Sequence, residues 1–198
     1  MSRILGFQSV GAALAVALSG AAPLGAQMSG GPDPAQNPLS ATLVDLRTQA
    51  KHYITTDINT MPESKYSFRI SPKSLTFAAI IGHITDFEYI WCSQAKGEAN
   101  PHTGSDEKTV TTKDQAVAGL DSAWAYCDGL FNTMTDRHLS DKVTFSTLGK
   151  ADGTPKTKLY IMVMTIQHTM EHFGQGLAYM ENNGLEFPHQ APPPKPKT

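Results

Sequence analysis

The 198-residue chain has little cysteine, few aromatic side chains and little charge. Its only cysteines are Cys92 and Cys127, and no C-x-x-C spacing occurs. A thioredoxin-type redox motif and a c-type haem attachment are thereby excluded. Basic residues number 16 against 18 acidic ones, for a net charge of −2, so there is no basic excess to grip nucleic acid or an anionic membrane surface. Beyond the N-terminal segment no apolar run is long enough to span a bilayer. No stretch shows a convincing strand alternation either.

The first residues, MSRILGFQSVGAALAVALSGAAPLGAQ, do carry a pattern. One basic residue, Arg3, precedes an uncharged Ala/Leu/Val-rich stretch that closes on Leu24-Gly25-Ala26. That order is the pattern of a secretory signal peptide over residues 1–26, with cleavage before Gln27. No cysteine follows the apolar stretch, so a lipid anchor is not indicated. The mature protein is therefore expected to be periplasmic or secreted, with no stable membrane anchor. Residues 27–39 read as a flexible leader, 40–187 as one domain, and 188–198 as a Pro-rich tail. In an oxidising compartment Cys92 and Cys127 can pair if geometry allows, and the sequence leaves that open.

Four helical patterns fill the domain. The first is expected to start after Ser40 as N-cap and to stop before Pro62, burying Leu43, Leu46, Ala50, Tyr53, Ile54, Ile58 and Met61. A second follows Ser71-Pro72 and runs to Gly97, with Phe77, Ile80, Ile84, Phe87 and Trp91 as one stripe. The third spans about Thr112 to Thr135, where Val117, Leu120, Trp124, Cys127, Phe131 and Met134 alternate steps of three and four. The fourth runs from about Thr157 to Asn182 and ends at Asn183-Gly184. Four helices with one apolar face each predict an all-α four-helix bundle. Residues 98–111 are long enough, at about 3.3 Å per extended residue, for a crossover along a whole helix.

Histidines carry the chemistry. His168 and His172 stand four apart in YIMVMTIQHTMEHFGQGLAYM, hence about 40° apart on one helix face. They align with Ile161, Met164, Gln175 and Tyr179, the stripe that the helix buries. His83 lies between Ile80 and Phe87 on the edge of the second stripe. His102, His138 and His189 fall in loops or the tail, and His52 points away from its helix's apolar face. A single inward histidine is ordinarily a hydrogen-bonded core residue. Three of them on two helices would each need a buried partner, which favours shared binding of one divalent metal ion. Neutral imidazoles with open positions suit Zn, Ni, Fe(II) or Mn, and the spacing does not choose among them. None of the four helical patterns holds a Glu-x-x-His pair, so a carboxylate-bridged di-iron centre is disfavoured. HTMEH matches the inverted zinc-protease motif H-x-x-E-H, but only Glu181 and Glu186 remain downstream as a further acidic ligand.

The segment MPESKYSFRISPKSLTFAAIIGHITDFEYIWCSQAKGE, with its G-H-hydrophobic-x-D core, strongly resembles the DinB-like (DinB/YfiT) metalloprotein superfamily. HTMEHFGQGLAYMENNGLEFP is similar to that family's H-x-x-x-H-x-G segment, and AYCDGLFNTMTD to its third helix. The resemblance covers about residues 40–190. It implies a four-helix bundle with a long crossover and a three-histidine metal site, here His83, His168 and His172. Relatives of that family include thiol-dependent S-transferases and a maleylpyruvate isomerase, so a thiol transferase is implied. An open metal position that acidifies water as well as a thiol makes a hydrolase acting on a small molecule the companion expectation. Glu171, about 60° around the helix from His168, is the candidate proton carrier. The alternative is a non-catalytic, exported or stress-associated protein whose ion only joins helices. No nucleic-acid partner is expected; a homodimer is compatible with the chain.

Overall fold

The computed structural model describes residues 31–147, 150–151 and 155–186. The expected signal segment and the whole Pro-rich tail lie outside the described residues. Five helices follow in chain order: α1 (Pro38–Thr60), α2 (Phe77–Lys96), the one-turn α3 (Asp106–Thr109), α4 (Lys113–Thr133) and α5 (Lys158–Asn182). Four are long, and α3 sits inside the connection between α2 and α4. Among the described residues no helix is long and apolar enough to cross a membrane.

Local chemistry sets most of the helix ends. Thr112 caps α4 by accepting from the backbone N–H of Gln115, whose own side chain accepts from the N–H of Thr112, a reciprocal capping box. Thr157 accepts from the N–H of Tyr160 at the start of α5. Helix α2 ends at Gly97, whose φ of 73° is the left-handed conformation that glycine adopts without cost.

Two starts depart from expectation. Ser40 is not an N-cap; it is buried within the first turn of α1, which begins at Pro38. The N–H groups of Leu39 and Ser40 instead donate to the carboxylate of Asp136, at 3.1 and 2.8 Å. A carboxylate almost 100 residues away satisfies the open helix end and complements its dipole. Helix α2 begins at Phe77 rather than after Ser71-Pro72. Ser71 and Ser74 close a separate turn there, and Thr76 caps the helix by accepting from the N–H of Ala79.

Paired contacts give the topology. Tyr53 stacks on Phe173 and Asp57 abuts Gly176, so α1 and α5 run parallel. Phe77 meets Tyr179 and Glu88 meets Thr169, so α2 runs antiparallel to α5. Thr85 lies beside Gly119 and Cys92 bonds to Cys127, so α2 and α4 are parallel. Parallel neighbours need a return path the length of a helix, and residues 98–112 provide the long crossover. Between α4 and α5 the chain forms two short antiparallel pairs that the sequence did not suggest. They are β1 (Lys142–Val143) with β4 (Lys156–Thr157), and β2 (Ser146–Thr147) with β3 (Lys150–Ala151). Gln94 clasps this excursion to α2 by exchanging hydrogen bonds with Ser146.

The apolar core has two parts. Ile54, Ile58, Phe77, Ile80, Leu120 and Tyr179 belong to one; Leu43, Phe87, Trp91, Phe131, Ile161 and Met162 belong to the other. A buried polar group draws on all four long helices. Arg47 of α1 is 4% exposed and Glu88 of α2 is 2% exposed, with Arg47 Nη1 3.0 Å from Glu88 Oε2. Arg47 Nε also reaches Asp128 of α4 at 3.2 Å, and Thr169 of α5 donates to Glu88 at 3.3 Å. Burial pushes the Glu88 carboxyl up, and Arg47 pulls it back. Here the expected α1 stripe is corrected: Leu46 is 46% exposed, and Arg47 and Asp57 take inward positions among the apolar residues.

Candidate metal centre

Helix α5 carries His168 and His172 on successive turns, and α2 crosses opposite them with His83. The Nε2 atoms of His83 and His172 each lie 3.1 Å from Nε2 of His168. One ligand atom from each ring falls within 4.8 Å of both others. Around a tetrahedral zinc with Zn–N of about 2.0–2.1 Å, ligand nitrogens stand about 3.3 Å apart. Two of the three separations are thus close to what one small cation requires, and the third is within 4.8 Å.

Their outer nitrogens fix which way the lone pairs face. Nδ1 of His83 lies 2.6 Å from Oε2 of Glu107, and a carboxylate only accepts, so this nitrogen carries the proton. Nδ1 of His172 donates to Oε1 of Gln175 at 2.8 Å. Both rings therefore turn bare Nε2 lone pairs toward His168. A single proton on His168 Nε2 can satisfy only one of them, whereas a metal ion satisfies all three. Burial, followed by the neighbouring His172 and His83, lowers the His168 pKa to about 3. His172 is likewise held below its ordinary range, chiefly by burial. The donor set suits a cation. Phe87 and Trp91 pack against the His168 ring at 4.9 and 5.0 Å between centroids and shield that side.

The geometry brings together the three histidines selected by helical period. Glu171 is exposed on α5, and its charge acts on His172. Gln175 orients His172. Tyr179 is fully buried and donates from its hydroxyl to the carbonyl of Leu75 at 2.5 Å, which makes it a core residue. Sequence reasoning missed Glu107. It sits on the crossover helix α3, 24 residues from His83, and only the run Ser105-Asp106-Glu107 hinted at a helix start there. Cys92 and Cys127 form a buried disulfide between α2 and α4, with Cα atoms 5.5 Å apart.

Among the described residues two other ligand-like clusters have structural explanations. Glu88, Cys92 and Cys127 lie together, but the disulfide consumes both sulfurs. Asp86, His102 and Asp106 also meet. There Oδ1 of Asp86 accepts from His102 Nε2 and from the N–H of Asp106, and Oδ2 accepts from Ser105 Oγ and the N–H of Glu107. Four donors fill the lone pairs of Asp86, so it serves as a helix cap. His52 is exposed beside Tyr53, as expected; His138, expected in a loop, instead ends a short 3-10 turn (Asp136–His138) near Asp141, and His189 is outside the described residues.

Comparison with solved structures places the fold. A DinB-like protein from Bacillus cereus matches with a TM-score of 0.62 at 19% identity, over 74% of this chain and 93% of that one. A conserved protein from Enterococcus faecalis matches with a TM-score of 0.57 at 12% identity, over 71% and 94%. A DinB-like protein from Bacillus subtilis matches with a TM-score of 0.55 at 16% identity, over 73% and 93%. No curated protein matches the chain. The family model of the DinB superfamily matches residues 47–175, which include all three histidines, Glu107 and the whole crossover. By that match the chain belongs to the DinB superfamily.

Proposed function

We propose that this chain is an exported metalloprotein in which His83, His168 and His172 hold one divalent ion (Zn, Ni, Fe(II) or Mn) that serves as a catalytic centre for hydrolysis or thiol transfer on a small molecule. The observation that carries the reading is the convergence of three Nε2 atoms whose lone pairs no shared proton can satisfy. No fourth protein ligand joins these three in their cluster among the described residues, and Glu107 is engaged at the outer nitrogen of His83. Three imidazoles with a free position are the arrangement in which a bound water or thiol is acidified to a nucleophile near neutral pH. Glu171 is the proton carrier in this reading, and its charge already acts on His172. The buried Cys92–Cys127 disulfide supports an oxidising compartment and so the secretory reading of residues 1–26.

Metal analysis of protein from the native host tests the centre. About one ion per chain is expected, with most of it lost in His83→Ala and His168→Ala; full occupancy in both variants would overturn the assignment. Turnover of activated esters, amides and thiol-accepting electrophiles by the holo-protein, abolished by chelation, tests catalysis. A protein that loses melting temperature on chelation but turns over nothing in a broad panel would leave the ion a structural role only.

A further inference from the structure

The crossover between α2 and α4 reaches the candidate metal centre through the Glu107–His83 hydrogen bond. How that point is held is the more informative feature. Residue 82, next to His83, is glycine, and a Cβ there would overlap the carbonyl of Asp106 and the amide of Glu107. Only glycine lets the backbone of α3 lie directly on α2. One turn further along α2, Asp86 accepts from the backbone N–H groups of Asp106 and Glu107 at 2.9 and 3.2 Å and from the Ser105 hydroxyl at 3.1 Å. It also accepts from His102 Nε2 at 3.2 Å, and Tyr89 stacks on that imidazole. The hydroxyl, both amides and the imidazole all come from residues 102–107, so a single carboxylate on α2 ties down that part of the crossover.

We infer that Asp86 is a positioning residue for the metal centre, acting through the crossover to hold Glu107 on Nδ1 of His83, so that docking of this strap and metal binding are thermodynamically coupled. The inference rests on reading the histidines as metal ligands. Glu107 keeps the proton on Nδ1 and the lone pair on Nε2, and it fixes the ring plane. Partners of this kind typically contribute 10–100-fold to metal affinity. Glu107 makes this contact from a one-turn helix, which cannot hold its own position, so its registration depends on Asp86 and on the absence of a side chain at Gly82. Coupling is reciprocal: if docking the strap favours the ion, the ion must favour docking.

The test is a double-mutant cycle on the full chain, with zinc affinity measured by competition with a chromophoric chelator. Glu107→Ala and Asp86→Ala should each weaken zinc binding by about 10–100-fold. If Asp86 acts through Glu107, the double variant should be no weaker than the poorer single variant; multiplied losses would overturn the inference. Glu107→Gln keeps an acceptor on Nδ1 and should recover part of the affinity, which a merely structural role for residue 107 does not predict. In the metal-free protein, imidazole nitrogen NMR should show His83 protonated at Nδ1 in the wild type and a mixture of tautomers in Asp86→Ala. An unchanged His83 tautomer in that variant would count decisively against positioning. Hydrogen exchange of the Asp106 and Glu107 amides should slow when zinc is added, and equal exchange with and without zinc would refute the coupling. Should the wild type bind no zinc at all, the ligand reading falls, while the His83 tautomer still decides whether Asp86 positions Glu107.

Discussion

The carboxylate of Asp57 presses on Gly176 so closely that a Cβ at residue 176 would sit 2.9 Å from Oδ2. Asp57 is 1% exposed, and among the described residues neither of its oxygens has a hydrogen-bond partner. Gly176 lies one turn beyond His172, so an ionisable group is buried in the α1–α5 seam directly after a candidate metal ligand. Burial raises the pKa of Asp57 to about 7.

This carboxyl should make stability fall as pH rises. Unfolded, it ionises near 3.8; folded, near 7. Between those values the native state holds a proton that the unfolded state has lost, so the contribution is full below about pH 4 and is withdrawn up to about pH 7. The slope of about 1.4 kcal/mol per pH unit sets an upper bound of about 4 kcal/mol over the window. Asp57→Asn should flatten this limb and be more stable than wild type at pH 8. Urea unfolding at pH 5 and pH 8 measures it; equal pH slopes in variant and wild type would refute the assignment.

His168 should produce the opposite limb. Its folded pKa of about 3 lies below the ordinary imidazole value of 6.5, chiefly through burial. From pH 6.5 downward the unfolded chain binds a proton that the native ring refuses, so stability is full above about 6.5 and drains as pH falls toward 3, by up to about 5 kcal/mol. The two limbs oppose each other across the same range, so the wild-type curve alone separates neither. In metal-free protein, His168→Gln should shrink the acid-side loss to the part that half-buried His172 carries, while leaving the Asp57 limb in place. Retention of the full acid-side loss in that variant would show that another group carries it.

Arg47 and Glu88 give a third expectation. Arg47→Met strands Glu88 in the interior and should cost about 3–5 kcal/mol, read as a fall in the urea midpoint. Because Thr169 next to His168 donates to the same carboxylate, metal affinity should fall too. The double variant Arg47→Met, Glu88→Leu replaces the pair with apolar volume and should recover most of the stability. A double variant as unstable as the single would show that the pair itself, rather than the uncompensated charge, supplies the stability.

The features legible in the sequence are those determined within one helix. Thr112 with Gln115, Thr157, and Asn183-Gly184 set the bounds of α4 and α5 by local capping, and those bounds match expectation. The i,i+4 spacing of His168 and His172 faces them inward for the same local reason, and His83 follows from its stripe. What stayed hidden depends on contacts far apart in the chain. The start of α1 is capped by Asp136, and Arg47 is buried because Glu88 and Asp128 await it. Glu107 reaches His83 only because the crossover folds back over Gly82. The pairing of Cys92 with Cys127 was undecidable for the same reason, since it requires α2 and α4 to run side by side in register.

That disulfide is the last testable point, and it bears on where the protein works. It closes a sequence separation of 35 residues and bridges two helices whose only covalent connection is the crossover. Chain-entropy arguments assign a loop of that size about 3–4 kcal/mol, gained by restricting the unfolded state. Cys92→Ser should therefore lower the melting temperature by many degrees, and reductant should do the same to the wild type but not to the variant. Both sulfurs are fully buried, so reduction should be slow below the melting transition and quick once the chain opens. Mass spectrometry of protein from the native host ties this to export. The mature chain should begin near Gln27 and lack two thiol hydrogens, whereas a chain still carrying Met1 with both thiols free would overturn the secretory reading.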